Sequence, residues 1–314
     1  MWETYVPVKV GVIGVGYLGK HHARIYSEIE GAELVAVADP SREAVSAVAG
    51  AYGCKFYTDY RDIIGLCDAL SIVTPTTTHY AIAMECLKAG KDLLIEKPVT
   101  ADISEAQAVV AEAARQNLVL QVGHLERYNP GIAAAAGIIT VPSFIESERL
   151  SPFMGRADDV DVTIDLMIHD IDIVLSLVNA RLTDIRAAGE SIITDKIDVA
   201  RAWLEFDNGC KALVTASRAA TDKVRTLKVS QKDSYVTIDY QKQEVTHYVK
   251  SGKTLSSVHI RPENREPLKE ELKDFILCVQ TRQRPRVSGV EGMNALDVAL
   301  RITEIVKAGF QVCC

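Results

Sequence analysis

The stretch from Val8 to Asp39 most constrains what this chain can fold into. An apolar, β-branched run, Val8-Lys9-Val10-Gly11-Val12-Ile13, turns through Gly14-Val15-Gly16-Tyr17-Leu18-Gly19 into a helix-compatible segment. A second apolar run, Glu33-Leu34-Val35-Ala36-Val37-Ala38, then ends in Asp39, twenty residues beyond Gly19. A lone GxGxxG is a weak signal, but strand, turn, helix, strand and acid in this order describe a dinucleotide-binding βαβ unit. Gly14 permits the tight turn, Gly16 lets the backbone approach a pyrophosphate, and Gly19 lets helix and strand pack closely. The helix N-terminus, with Tyr17 and Leu18 on its approach, offers unpaired N–H groups and a positive dipole end to the phosphates. Asp39 can accept both ribose hydroxyls and repels a 2′-phosphate, which favours NAD over NADP. Arg42, close behind it, softens that preference.

Further strands are expected at Leu34–Ala38, Ala69–Val73, Asp92–Ile95 and Leu118–Val122, with amphipathic helices at Tyr80–Ala89 and Ser104–Gln116 between them. Ser104 with Gln107 reads as a capping box. This alternation predicts a doubly wound parallel sheet over residues 1–122. After Val122 the pattern changes. A strand at Phe144–Leu150 and a very apolar helix at Thr163–Leu177 precede strands at Leu182–Glu190, Val199–Phe206, Lys211–Arg218, Arg225–Gln231, Tyr235–Asp239 and Glu244–Val249. Asp207-Asn208-Gly209 is a hairpin signal, because Asn-Gly supplies the positive φ angles of a tight turn. Two helices, about Pro267–Thr281 and Gly292–Ala308, close the chain. The expected fold is α/β: an N-terminal Rossmann domain, then an α+β domain over 123–314 with an open, mostly antiparallel sheet. That second domain is expected to bind substrate, and its free sheet face to form a homodimer or homotetramer.

Length and composition narrow the function. The 314 residues suit about two domains. A formal charge of −7 argues against the basic face of a nucleic-acid binder, and leaves any phosphate recognition to a few local arginines. No apolar run reaches the roughly 18 residues of a membrane span. The start, Met1-Trp2-Glu3-Thr4-Tyr5, lacks the pattern of a signal peptide. Seven scattered cysteines without a CxxC pair point to reduced thiols in a cytoplasm, and Cys313-Cys314 reads as a frayed tail.

Three constellations carry chemistry. Asp92-Leu93-Leu94-Ile95-Glu96-Lys97-Pro98 ends an apolar strand in a charged pair and a proline. Strand C-termini line the cofactor crevice in such sheets, so Lys97 is expected to project towards the nicotinamide; the bland alternative is a solvated lysine at a corner. Pro98 constrains that corner and makes a cis bond affordable. In Asp165-Leu166-Met167-Ile168-His169-Asp170-Ile171-Asp172, positions 165, 169 and 172 share one helix face among apolar neighbours. Such groups must face a cleft or one another. A catalytic role, a satisfied structural histidine and a metal site are the readings open to them, and no further ligand set supports a metal. Thr74-Pro75-Thr76-Thr77-Thr78-His79 follows another strand and offers hydroxyls and an imidazole to a cofactor, or a helix cap through Thr77 or Thr78.

With these motifs in place the chain resembles the GFO/IDH/MocA family of NAD(P)-dependent oxidoreductases over essentially its whole length. Gly14–Gly19, the Thr74-Pro75 loop ending in His79, Glu96-Lys97-Pro98, and Asp165-x3-His169-x2-Asp172 fall in the family's order and spacing. The resemblance implies that Gly14, Gly16, Tyr17, Leu18, Gly19, Asp39, Arg42, Thr74, Pro75, Thr78, His79, Glu96 and Lys97 surround NAD. It further implies that Lys97, Asp165 and His169 carry catalysis. The segments Gln121–Pro130 and Ser151-Pro152-Phe153 look most like members that oxidise UDP-N-acetylglucosamine at C3. Family members often carry a glycine pair before the helix aspartate; Val160-Asp161-Val162-Thr163-Ile164 stands here instead, which bears on the substrate rather than the chemistry. Arg127, Tyr128, Arg156 and Asp172 are the candidate substrate contacts, with Arg149 a further diphosphate candidate. Polyol or inositol oxidation, an NAD-retaining glycosidase and an NAD-sensing regulator are the rival functions. For alcohol oxidation, imidazole suits the base because it titrates near neutral pH. His169 then takes the proton, Asp165 steadies the imidazolium, and Lys97 stabilises the reacting oxygen; exchange of roles between His169 and Lys97 stays open.

Overall fold

The computed structural model describes residues 6–155 and 158–312; Arg156 and the Cys313-Cys314 tail lie outside the described residues. The chain forms two compact units. One comprises residues up to Leu125 together with Glu266–Met293, the other Glu126–Arg265 and the residues from Asn294 onward.

In the first unit six parallel strands, β1 (Val8–Ile13), β2 (Ala32–Ala38), β3 (Lys55–Tyr57), β4 (Ala69–Ile72), β5 (Asp92–Glu96) and β6 (Leu120–Gly123), run in the order β3-β2-β1-β4-β5-β6. The order reverses between β1 and β4, and that switch point is where a ligand crevice opens beyond the strand C-termini. β1, β4 and β5 are almost wholly buried, as strands covered on both faces must be. β3 was not expected from the sequence: it is three residues long, and two of them are exposed.

Sequence reading places Pro267–Thr281 in the second domain, but the helix belongs to this unit. Its apolar positions explain the placement. Leu272, Phe275, Ile276 and Val279 repeat at helical spacing and pack with Val8, Val10, Ile25 and Tyr26 in one core. Each such side chain contributes about 1.5–3 kcal/mol when fully buried, enough to hold a sequence-distant helix to the sheet. A Cβ on Gly292 would stand 2.6 Å from Val122, so the last helix also starts tight against β6.

Helix starts differ in detail from expectation. The helix Ile103–Arg115 is capped by Asp102, whose carboxylate accepts from the Ser104 amide at 2.7 Å, not by Ser104. Helix Thr76–Lys88 begins after Pro75 with no side-chain cap; Thr78 instead donates its hydroxyl to the Pro75 carbonyl at 2.8 Å.

The second unit holds eight strands: β7 (Pro142–Leu150), β8 (Leu182–Glu190), β9 (Val199–Phe206), β10 (Lys211–Ser217), β11 (Val224–Gln231), β12 (Ser234–Asp239), β13 (Glu244–Ser251) and β14 (Thr254–Ile260). They run β14-β13-β12-β11-β7-β10-β9-β8, and only β7 and β10 are parallel neighbours. The β9–β10 hairpin turns where Asn208-Gly209 predicts, with Gly209 at φ +85°. One sheet face is buried through Ile145, Ala202, Leu204, Leu227 and Val236. The other carries half-buried aromatics, with Phe144 against Trp203 and Tyr235 against Tyr248 at ring-centre separations of 5.5 and 5.8 Å.

The expected helix Thr163–Leu177 is not regular. Thr163–Met167 forms a π-helical turn, and an α-helix follows over Ile168–Val178. Such wide turns are rare and shift the angular phase of whatever precedes them.

Candidate functional site

At the switch point of the first unit lies a cavity of about 850 Å³, lined by Gly14, Gly16, Asp39, Ser41, Thr74, Pro75 and Thr78 among others. The glycines have distinct reasons to be glycine. Gly14 sits at φ +88°, and a Cβ there would stand 2.5 Å from the Val73 carbonyl oxygen. A Cβ on Gly19 would stand 1.9 Å from the Gly14 oxygen. Around Gly16 nothing lies within 4 Å of the Cβ position, so the backbone is bare towards open space. The helix Gly19–Glu28 has neither a side-chain cap nor an acidic first turn, so its leading amides keep their attraction for an anion. These features fit the pyrophosphate of a dinucleotide.

Asp39 is partly engaged by the protein itself. Its Oδ2 accepts from the Val15 amide at 2.9 Å and its Oδ1 from the Ser41 amide at 2.9 Å. A carboxylate has about four lone-pair sites, so capacity for two ribose hydroxyls remains. The same bonds brace the glycine turn against the end of β2. Arg42 lies outside the cavity lining; its guanidinium stands 5.8 Å from the centre of the Phe56 ring. The arginine that lines the cavity is Arg61, first residue of the short helix Arg61–Ile64, with Thr58, Asp59 and Tyr60 of the loop after the unexpected β3. Tyr17 and Leu18 are exposed on the glycine turn, Tyr17 edge-on to His21 at 5.5 Å.

Two residues of the expected cofactor shell turn inward. Glu96 is buried, 3.1 Å from His22 Nε2, and accepts from the Lys97 amide at 3.2 Å. A Cβ on Gly123 would touch its carboxylate at 2.9 Å, so β6 leaves space for this acid. The neighbouring Lys97–Pro98 peptide is cis. His79 is also fully buried, with Nδ1 2.9 Å from the Pro98 oxygen and Nε2 2.9 Å from the Thr74 oxygen. It therefore ties the Thr74-Pro75 cavity wall to the turn that carries Lys97.

Burial depresses the pKa of His79, against the pull of those two carbonyls. The unfolded chain then binds the extra proton more readily, so stability is lost as pH falls below the ordinary value of 6.5. Thermal melts across roughly pH 8 to 5 are expected to show a smaller acid loss for His79→Gln than for the original chain. The substitution should also raise KM for NAD more than it lowers kcat. Parallel pH profiles in the two proteins would show that His79 is not the group responsible.

In the second unit Asp165 stands in the π-helical turn and His169 in the first turn of the following helix, both half-buried. Asp172 is buried, and its Oδ2 lies 3.6 Å from Arg127 Nε. Tyr128 is buried at 4% exposure. Asp170, the member of the helix motif that sequence reading passed over, is fully buried and held by Arg149, whose Nε donates to Oδ2 at 2.6 Å and Nη2 to Oδ1 at 3.2 Å. Arg149 Nη1 donates to Glu126 Oε1 at 2.9 Å. Burial alone would weaken this guanidinium as a base, but Asp170 and Glu126 outweigh it and raise its pKa. The sequence reading offers Arg149 as a diphosphate ligand; its donors are instead spent on buried carboxylates.

A doubly wound sheet with this turn, acid and cavity defines a dinucleotide-binding protein. Residues 8–124 match the model of the oxidoreductase family with an NAD-binding Rossmann fold, and residues 144–234 that of the GFO/IDH/MocA C-terminal domain. The chain belongs to the GFO/IDH/MocA oxidoreductase family, and its cofactor is NAD. It is 36% identical to the UDP-N-acetylglucosamine 3-dehydrogenase of Acidithiobacillus ferrooxidans, over 98% of this chain and 99% of that one. A solved structure of that enzyme superposes with a TM-score of 0.92, covering 96% of this chain and 99% of the other. The NAD(+)-dependent scyllo-inositol 2-dehydrogenase of Bacillus subtilis is 29% identical over 97% of this chain and 96% of its own length. No helix among the described residues is long and apolar enough to cross a membrane.

Proposed function

We propose that this protein oxidises the C3 hydroxyl of UDP-N-acetylglucosamine with NAD. The observation that carries the reading is the 36% identity to a dehydrogenase of that specificity over nearly the whole of both chains. Inositol oxidation is the second reading, favoured by the scyllo-inositol relative. Incubating the protein with NAD and, separately, UDP-N-acetylglucosamine, scyllo-inositol and myo-inositol tests both through NADH absorbance. NADH formed in proportion to an oxidised UDP-sugar is expected, and separates this reaction from a glycosidase that retains its NAD. Turnover of an inositol alone would overturn the sugar-nucleotide reading.

Gly14, Gly16 and the start of helix Gly19–Glu28 would hold the pyrophosphate of NAD, with Tyr17 and Leu18 beside them and Gly19 keeping the helix close. Asp39 would take the adenosine ribose hydroxyls, while Thr74, Pro75 and Thr78 line the same cavity. Bound NAD supplies the hydride acceptor. His169 removes the hydroxyl proton, and Asp165 stabilises the imidazolium that results. Lys97 donates to the reacting oxygen and offsets its developing negative charge. Glu96 and His79 hold the Lys97 turn from the inside.

The same reading includes a cytoplasmic homo-oligomer formed through the eight-stranded sheet. Half-buried Phe144, Trp203, Tyr235 and Tyr248 give its open face the aromatic content of an interface core. Burial pushes the thiols of Cys67 and Cys86 up to about 12, which keeps them unreactive and suits a reducing compartment. Sedimentation of a monomer at micromolar concentration would exclude the oligomer.

A further inference from the structure

The start of β11 brings Lys223 and Arg225 beside the buried Arg149. Arg225 stands opposite Arg149 in the β7–β11 pairing, and Lys223 precedes it by two residues. Arg149 already engages Asp170 and Glu126. Glu126 Oε1, 2.9 Å from Arg149 Nη1, is also 3.5 Å from Arg225 Nη1, so the second arginine shares an acceptor that the first has taken. The side chain of Arg225 keeps 30% exposure, and Lys223 is exposed.

Both cations are held below their usual basicity. Burial does this to Arg225, with Arg149 repelling it; for Lys223 the largest cause is Arg225 itself, followed by burial. Like charges held together in a partly desolvated place are costly, and an outside anion relieves that cost. Backbone geometry fixes their positions. Val224, between them, pairs with Leu150 on β7, and Gln241 Nε2 donates to the Lys223 carbonyl at 3.1 Å.

We propose that Lys223 and Arg225 form the subsite for the phosphates of a nucleoside-diphosphate sugar. This deepens the sugar-nucleotide reading and rests on it. Arg149, opposite Arg225 in the sheet, donates to Asp170, the residue after His169 on its helix. In a substrate oxidised at C3 the phosphate hangs from the anomeric oxygen, two ring bonds from the reacting carbon. A phosphate subsite must therefore lie close to the residues that act on C3, and cations linked through Arg149 and Asp170 to the helix that carries His169 meet that demand. An inositol brings no anion to such a place. Arg225 supplies a planar fork of donors and Lys223 a mobile point charge, the usual division of labour at phosphates.

The test is calorimetric titration of UDP into NAD-loaded protein, as the original chain, Lys223→Gln and Arg225→Gln, beside turnover of UDP-N-acetylglucosamine. Loss of a charge-assisted bond is expected to weaken UDP about ten-fold or more in each variant. KM for the UDP-sugar should rise by a similar factor while kcat stays within about two-fold, as loss of uniform binding requires. Lys223 is exposed, so Lys223→Gln carries the test if Arg225→Gln fails to fold. Unchanged UDP affinity in Lys223→Gln, with the UDP-sugar still oxidised by the original chain, overturns the subsite and leaves the substrate reading standing. Absence of both UDP binding and UDP-sugar turnover in the original chain, with an inositol oxidised, overturns the substrate reading and the subsite with it.

Discussion

His169→Asn is expected to lower kcat by about a hundred- to ten-thousand-fold, because asparagine keeps much of the shape of imidazole but cannot accept the hydroxyl proton. Lys97→Met is expected to lower it by about a hundred- to thousand-fold, the range for losing a donor aimed at a developing oxyanion. NAD affinity should hardly change in either, since the glycine turn, Asp39 and the Thr74 wall are untouched. The pH profile assigns the base. A base must be deprotonated to work, so kcat/KM rises with pH through its titration and that limb vanishes when it is replaced. Loss of the limb in His169→Asn makes histidine the base; persistence there and loss in Lys97→Met gives the role to lysine. Unchanged rates in both variants would falsify the mechanism.

The largest loss of stability is expected from Arg149→Met. Arg149 is 2% exposed, Asp170 fully buried and Glu126 4% exposed, and the guanidinium sits 5.5 Å from the centre of the Tyr240 ring. Methionine fills much of the volume but leaves Asp170 in the interior without its cation and Glu126 with only Arg225. Breaking a buried ion pair from one side costs about 3–5 kcal/mol. An exposed pair such as Arg265 with Glu263 is worth at most about 1 kcal/mol, so the difference is one of burial rather than bond count. Urea unfolding should show the loss, and adding Asp170→Leu with Glu126→Gln should recover part of it. A loss below about 1 kcal/mol would mean that water reaches the carboxylates. The network also fixes the helix that presents His169, because Asp170 is the next residue along it.

Local signals were readable from the chain. The glycine turn and Asp39 declare themselves because strand, turn and acid lie within 32 residues, and each has a backbone reason that needs no distant partner. Strands β8 and β9 fall at the expected limits for the same reason. Non-local partners were not readable. Glu96 looks like a cofactor contact beside Lys97, yet His22 and Gly123 claim it from 74 and 27 residues away. His79 looks like a donor to the cavity, yet both ring nitrogens face carbonyls of the fold. Arg61 and Tyr60 stayed hidden because the strand before them is too short to carry a period. β14 was missed because its polar run Thr254-Leu255-Ser256-Ser257 shows no buried face. The position of helix Pro267–Thr281 depends on apolar partners some 250 residues earlier, which periodicity cannot identify.

The wide turn at Thr163–Met167 makes residue count a determinant of function. Taking one residue out of it would tighten the coil to ordinary α geometry, which advances about 100° per residue. The segment before the turn would keep its bearing, because five residues of wide turn and four of α-helix each close about one turn, but Asp165, inside it, would be re-aimed relative to His169. A single-codon deletion could thus uncouple the acid from its histidine while changing no other amino acid. Alignments scored on residue identity alone would register such an event as one gap.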